Sequence, residues 1–452
     1  MDKLDVLLKI KVSAASVSIN SCMVIKATGM KFVIQRSDIK GTVNAPPSKS
    51  YTHRAIAIAA LSNKATINNP LISEDTRATI RASEAFGATI EHKKDSLVIK
   101  GFDGKIKTPD NVLDVANSGT TLRMMTAIAS LAEGATVLTG DVSIRSRPNT
   151  PLLNALNDLG AEAFSTRNNG MAPIVVRGKM RGGRAYIDGS ISSQFISALL
   201  IACPFAKNET KVIIKGDIKS RPYVNITIDM LKDAGARIIE DGQSAFTIPP
   251  QQEYNLKSYD VPGDFSSASY MMAAGALCGD VTIKNMYPTE QGDSALIDIL
   301  KKMGANIVWD EKKGEVRASK SELTGITVDV GKTPDLVPTL AVVGAASKGT
   351  MVIENAEHVR YKETDRLHAM TVELKKMGID ITEEKDRLII RGGTLKGAQV
   401  RGWDDHRIVM ALAVAGMVAG GTTIDTVESV SISYPGFFDV LKKIGAGVSE
   451  VQ

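Results

Sequence analysis

The sequence predicts an α/β protein of six repeated units, arranged as two similar domains of three units each, and three observations lead there. A helix-like segment ending in Gly-Ala or Gly-Ile recurs six times: Ser83-Glu-Ala-Phe-Gly87-Ala, Leu156-Asn-Asp-Leu-Gly160-Ala, Leu231-Lys-Asp-Ala-Gly235-Ala, Leu300-Lys-Lys-Met-Gly304-Ala, Leu374-Lys-Lys-Met-Gly378-Ile and Leu441-Lys-Lys-Ile-Gly445-Ala. By subtraction of these positions, successive glycines stand 67 to 75 residues apart. Six small polar clusters interleave with them, each opening an almost wholly apolar stretch. Short strand-like runs follow both kinds of segment. Self-similarity at one period is the mark of a repeat architecture.

Each element has a local cause. The Gly-Ala segments read as amphipathic helices whose glycine takes the left-handed C-terminal cap. Lysines in the last turn suit the negative end of the helix. Two strands follow, as at Thr89–Glu91 and Leu97–Lys100. The clusters are Pro47-Ser-Lys-Ser50, Asn117-Ser-Gly-Thr-Thr121, Ser190-Ile-Ser-Ser-Gln194, Asp264-Phe-Ser-Ser267, Thr333-Pro-Asp335 and Asp404-Asp-His-Arg407. They open helices such as Ala55-Ile-Ala-Ile-Ala-Ala60 and Ser269-Tyr-Met-Met-Ala-Ala-Gly-Ala-Leu277. A helix apolar on every side is buried. A strand follows, as in Lys211-Val-Ile-Ile-Lys215. Six such units fill residues 30–452. One core rarely grows past about 250–300 residues, so three units per domain is the natural division. Pro and Gly in Tyr259-Asp-Val-Pro-Gly263 mark a boundary.

Composition narrows the function. The chain has 452 residues, 43% hydrophobic and 23% charged, with 38 glycines. A formal net charge of +5 is too mild and scattered for a nucleic-acid surface but suits small anionic substrates. Cys22, Cys203 and Cys278 show no CxxC spacing, and the five histidines show no ligand spacing. Neither a disulfide framework nor a metal site is expected, and the thiols fit a reducing cytoplasm. No apolar run reaches the roughly 18 residues that span a bilayer. Residues 1–29 carry Asp2 and Asp5 and lack a signal-peptide core, so they read as an N-terminal extension with no assigned role. The second methionine, Met30, opens the strand-like Lys31-Phe-Val-Ile-Gln-Arg36.

The chemistry gathers at the helix starts. Free N–H groups and the helix dipole make a helix N-terminus an anion site, though Ser, Thr, Asn and Asp there also act as caps. If equivalent helices point the same way, several such ends converge. Lys49, Arg54, Arg123, Arg147, Lys362, Arg366 and Arg407 stand beside these starts or in Ser146-Arg-Pro148 and Tyr361-Lys-Glu-Thr-Asp-Arg366. Each alone is ordinarily a solvated charge. Together they suggest a site for phosphates and carboxylates, which Arg grips bidentately. Asp335 and Glu363 lie within this basic setting, as an acid and base for proton transfer or, more plainly, as a helix cap and an ion-pair partner.

These residues resemble a known family. Pro47-Ser-Lys-Ser-Tyr-Thr-His-Arg54 is similar to the shikimate-phosphate-binding signature of the EPSP synthase (3-phosphoshikimate 1-carboxyvinyltransferase) family. So are Asn117-Ser-Gly-Thr-Thr-Leu-Arg123, Asp188-Gly-Ser-Ile-Ser-Ser-Gln-Phe195, Ser220-Arg-Pro-Tyr223, Tyr361-Lys-Glu-Thr-Asp-Arg-Leu367 and Asp404-Asp-His-Arg407, in order from about residue 31 to 449. The resemblance implies an inside-out α/β barrel in each domain, with helices buried inside sheets and the active site in a cleft that closes on substrate. It implies a domain of residues 48–261 and a discontinuous one of 30–47 plus 262–452, with crossovers near Pro47 and Val261.

It also implies roles. Lys49, Ser50, Arg54, Ser192, Ser193, Gln194, Ser220, Tyr223, Asp335 and Lys362 would hold shikimate 3-phosphate. Lys49, Asn117, Gly119, Arg147, Gln194, Glu363, Arg366 and Arg407 would hold phosphoenolpyruvate. Asp335 would deprotonate the 5-hydroxyl, and Glu363, with Lys49 as partner, would protonate the methylene. No cofactor, metal or covalent enzyme intermediate is implied, and a cytoplasmic monomer acting on small molecules is expected. Glyphosate should inhibit, because Gly119 is retained.

Three positions depart from the common pattern. His358 stands where many members have Asn, Ile432 precedes Ser433-Tyr-Pro435 where many have Lys, and Met124 replaces a frequent proline. Arg401 or Arg145 is the candidate substitute for the missing lysine. Two rival readings remain. UDP-N-acetylglucosamine enolpyruvyl transferases usually carry a reactive Cys where Thr139-Gly-Asp-Val-Ser-Ile-Arg-Ser-Arg147 has none. A non-catalytic anion or nucleic-acid binder would need the cations without Asp335 or Glu363, and should interleave them with aromatics, which make up only 5%.

Overall fold

A computed structural model describes residues 29–102, 105–242 and 244–451. Cys22 and nearly all of the N-terminal extension lie outside the described residues.

Among the described residues, twelve α-helices fall into six pairs, and each pair is one predicted unit. They are α1 (Lys49–Leu61) with α2 (Glu74–Ala85), α3 (Gly119–Ala129) with α4 (Thr150–Asp158), and α5 (Ser193–Ala202) with α6 (Arg221–Asp233). The other three are α7 (Phe265–Cys278) with α8 (Leu296–Lys302), α9 (Val337–Ala345) with α10 (Arg366–Lys376), and α11 (His406–Ala419) with α12 (Phe437–Lys443).

The first helix of each pair is the apolar one. Every residue from Tyr51 to Leu61 in α1, all of α9, and His406 to Met417 in α11 are buried. Such helices have no face to give to water, so sheets must surround them. The second helix of each pair ends at its glycine. Gly87, Gly160, Gly235, Gly304, Gly378 and Gly445 all take positive φ, from +84° to +110°. This is the left-handed cap expected from the repeat.

The six four-stranded sheets found among the described residues share one plan. In one of them, strands 183–188 and 210–215 run parallel, and 245–248 and 239–240 follow antiparallel. Three strands join sheets distant in sequence. Residues 39–44 lie parallel to 279–284, 32–34 insert between 422–424 and 448–450, and 258–260 lie parallel to 64–68. Two apolar cores result. One draws on residues from Tyr51 to Val261, the other on Ile34 to Ala45 with Phe265 to Ala446. The chain passes twice between them, where Pro47 bridges Gly263. A Cβ on Gly263 would lie 2.0 Å from the Asn285 carbonyl oxygen, so the crossing requires glycine. Among the described residues no helix is long and apolar enough to cross a membrane.

Candidate active site

The six buried helices start around one cavity between the two cores. Its lining takes Lys49 and Ser50 from α1, Gly119 and Thr120 from α3, and Ser192, Ser193 and Gln194 from the start of α5. From the other core come Asp264 at the cap of α7, Asp335 in the turn before α9, and His406 and Arg407 of α11. The first residues of these helices place polar side chains and free N–H groups together, which favours anions. Of the sixteen residues proposed from the sequence, all but Asn117 line this cavity.

The two walls differ in charge balance. On the first core, Arg54 is 2% exposed, Arg147 6% and Arg123 8%, and none of the three pairs with a carboxylate among the described residues. Arg54 donates only to neutral groups: Thr227 Oγ1 at 2.7 Å, Ser197 Oγ at 3.2 Å, and the carbonyls of Ser50 and Tyr223 at 2.9 Å. Burial lowers it to about 10. Arg123 donates to Gln194 Oε1 at 2.5 Å and lies 5.2 Å above the Phe195 ring. Burial, with Arg147 adding repulsion, brings it to about 9. Arg147 donates to Asn117 Oδ1 at 3.0 Å and Ser143 Oγ at 2.8 Å. A buried guanidinium without a counter-ion is costly, so this wall is poised for anions supplied from outside.

On the facing core the cations are paired. Asp335 accepts from Arg366 Nη1 at 2.8 Å and Arg407 Nη2 at 3.1 Å, with Lys362 Nζ at 3.8 Å. Arg366 also reaches Glu363 at 2.6 Å and the buried Asp405 at 2.8 Å. Burial alone would raise the Asp335 carboxyl, but Arg407, Lys362 and Arg366 outweigh it and hold it far below its usual value. Glu363 follows the same pattern, with Arg366 and Arg147 overcoming burial. Asp335 caps no helix. It lies in the turn Pro334–Leu336, with its side chain turned to the arginines. Glu363 is an ion-pair partner of Arg366, but it lies ahead of α10, in the cavity wall.

Contacts across the cleft hold the walls together. Ser143 Oγ donates to the Glu363 carbonyl at 3.2 Å, and Lys219 Nζ to Asn355 Oδ1 at 2.5 Å. The Ser220 N–H donates to the Gly331 carbonyl at 2.9 Å. On the first wall, Lys49 pairs with Asp75 at 2.9 Å, and Gln194 Nε2 donates to Thr120 Oγ1 at 3.0 Å.

Several expectations change. Asn117 stands behind Arg147, accepting from it and donating to Asp141 at 2.6 Å, so it orients an arginine instead of lining the site. Neither Arg145 nor Arg401, the candidate substitutes for the missing lysine, lines the cavity. Arg145 donates to the Gly140 carbonyl at 2.5 Å and Arg401 lies over Trp403, both outside the cavity lining. Ile432 is buried away from the cavity as well. His358 does line it, 7% exposed, with Nε2 unpartnered. Burial, then Lys362 and Lys219, lower it to about 4, so its ring is neutral at pH 7. Arg123, Asp264 and His406 join the lining from clusters visible in the sequence. Asp75 joins from α2 with no sequence signal of its own.

Known proteins share both sequence and fold with this chain. The model of the family described as EPSP synthase (3-phosphoshikimate 1-carboxyvinyltransferase) matches residues 33–441. A 3-phosphoshikimate 1-carboxyvinyltransferase of Methanococcoides burtonii is 62% identical over 93% of this chain and 99% of its own length. One of Methanosarcina mazei is 60% identical over 93% and 99%. A solved EPSP synthase of Acinetobacter baumannii superposes with a TM-score of 0.80 at 28% identity, covering 94% of this chain and 100% of its own. A match of this extent in sequence and fold means that the chain belongs to the EPSP synthase family.

Proposed function

We propose that the protein transfers the enolpyruvyl group of phosphoenolpyruvate to the 5-hydroxyl of shikimate 3-phosphate, releasing phosphate. One observation carries the reading: three buried, unpaired arginines on one wall face two carboxylates held by cations on the other. Two polyanions would supply the missing counter-charge. The carboxylates would move the protons.

In this reading, residues 48–261 and residues 30–47 plus 262–452 form two domains, with the reaction between them. Arg54, Ser192, Ser193, Ser220 and Tyr223 hold shikimate 3-phosphate, and Arg147, Arg366, Arg407 and the α3 start at Gly119 hold phosphoenolpyruvate. Asp335 takes the hydroxyl proton as the oxygen attacks the enol carbon. Glu363, beside Lys49, gives a proton to the methylene. The tetrahedral intermediate then returns the methyl proton to Glu363 and expels phosphate, whose growing charge the arginines stabilise. The substrate anions also tune the acid and base. Once phosphate and carboxylate groups share Arg147, Arg366 and Arg407, less positive charge acts on Asp335 and Glu363. Their proton affinity then rises toward what the chemistry needs. The same reading makes the protein a cytoplasmic monomer in chorismate and aromatic amino-acid biosynthesis.

The test is phosphate release by the purified protein with both substrates, against controls lacking either. Release that depends on both supports the reading. A folded protein that binds shikimate 3-phosphate yet releases nothing overturns it.

A further inference from the structure

Behind the cavity lies a buried carboxylate, Asp293, that the mechanism above leaves unused. Asp293 belongs to the short turn Gly292–Ala295 and is 0% exposed. It does not line the cavity and makes no ion pair among the described residues. Its Oδ2 accepts from the Tyr223 hydroxyl at 2.9 Å and from Ser266 Oγ, while Oδ1 has no partner. The same Tyr223 oxygen stands 3.5 Å from Asp335 Oδ2. One phenol, reaching from the first core, therefore joins two carboxylates of the second.

We propose that Asp293 stores the acceptor's hydroxyl proton between the two half-reactions, receiving it from Asp335 through the Tyr223 phenol and returning it to the departing phosphate. The proposal rests on the reading of Asp335 as base. The bonds balance. As the 5-oxygen bonds to the enol carbon, its O–H breaks and the proton passes to Asp335. Asp335 gives a proton to the phenol oxygen while the phenol proton moves to Asp293, so the phenol ends unchanged. When the intermediate collapses, the C–O bond to phosphate breaks. The path then runs backward and delivers the proton to the leaving phosphate.

The environments favour this direction. Burial first, then the charge of Asp335, raise Asp293 to about 6, against opposing effects from Arg407, Ser266 and Tyr223. Asp264 stands in the same buried polar cluster, where Gln291 Nε2 donates at 2.8 Å to both Asp264 Oδ1 and Ser266 Oγ. Asp335 is held far below by its three cations. A proton on Asp335 is thus more stable on Asp293, and Asp335 regains the charge that steadies Arg366 and Arg407. Paired groups whose environments push their proton affinities apart have this division of labour.

The experiment measures kcat for phosphate release against pH in the full chain, for wild type, Asp293→Asn, Tyr223→Phe and Asp335→Asn. Below about pH 6 a protonated Asp293 accepts nothing, so wild-type kcat should fall there. Asp293→Asn should lower kcat by about 10- to 100-fold, leave both KM values within about threefold, and remove that acid limb. Tyr223→Phe should remove the same limb, and a double variant carrying both Asp293→Asn and Tyr223→Phe should lose no more kcat than Asp293→Asn alone. A wild-type kcat and acid limb in Asp293→Asn overturns the relay. So does a kcat loss matched by an equal loss of shikimate 3-phosphate binding. An inactive Asp335→Asn beside a wild-type Asp293→Asn removes the relay alone, whereas an active Asp335→Asn removes the base and the relay together.

Discussion

Replacing Asp335 by Asn separates chemistry from binding. The side chain keeps its shape but loses the charge shared by Arg366, Arg407 and Lys362 at 2.8, 3.1 and 3.8 Å. Loss of a positioned general base costs about 10²- to 10⁴-fold in kcat, or roughly 2.7–5.5 kcal/mol at about 1.36 kcal/mol per tenfold. Removing one partner of a buried ion pair costs about 3–5 kcal/mol of stability. The low end applies here, because Arg366 keeps Glu363 and Asp405, and the Asp335 side chain is 15% exposed. Binding should move the other way. With Asp335 neutral, the cations that meet phosphoenolpyruvate are less compensated, so its dissociation constant should hold or fall while kcat collapses. Phosphate release gives kcat, calorimetry gives the dissociation constant, and a melting curve gives the stability. A kcat within about threefold of wild type would refute the assignment. A weaker affinity that accounts for all lost activity would make Asp335 a binding residue only.

Two further outcomes follow from the same geometry. A Cβ on Gly119 would lie 2.9 Å from Arg147 Nη1 and 3.2 Å from Arg123 Nη1. Gly119→Ala should therefore push both arginines and raise the KM for phosphoenolpyruvate about tenfold, or roughly 1.4 kcal/mol, with a smaller change in kcat. Glyphosate should inhibit the wild type and lose potency in parallel, and an unchanged KM and inhibition would contradict the packing argument. Stability should also depend on acid. Asp335 and Glu363 are depressed in the fold, so their contribution is complete above the unfolded carboxylate range of about 4 and is lost as pH falls below it. Asp293 is raised, so its effect has the opposite sign: stability present below about 4 is lost as pH rises through about 6. Melting temperatures of the ligand-free protein should drop below pH 4, less steeply in Asp335→Asn, and equal slopes would contradict the pairing.

Most of the architecture was legible because it is written in local patterns. The six Gly-Ala helix ends need a left-handed residue, and all six glycines take positive φ. The apolar stretches admit no exposed face, and α1, α9 and α11 are buried nearly throughout. The site was legible for a related reason. Each buried helix has one polar end, so cations and hydroxyls gathered at those ends mark where the helices point. Asn117 was read as a ligand contact because in sequence a short amide looks the same whether it meets a ligand or an arginine, and in the structure it meets Arg147.

By itself the sequence determined the repeat, the buried helices, the anion-seeking helix starts and the family. Only the tertiary structure decided which cations already have partners. Arg54 and Arg366 look alike in sequence, yet one faces hydroxyls and carbonyls, and the other three carboxylates. It also brought Asp293 to Tyr223 across 70 residues of chain. Periodicity and capping act within a few residues and leave their mark on neighbouring letters. Charge pairing and desolvation act across the cleft between two cores, where distance along the chain carries no information.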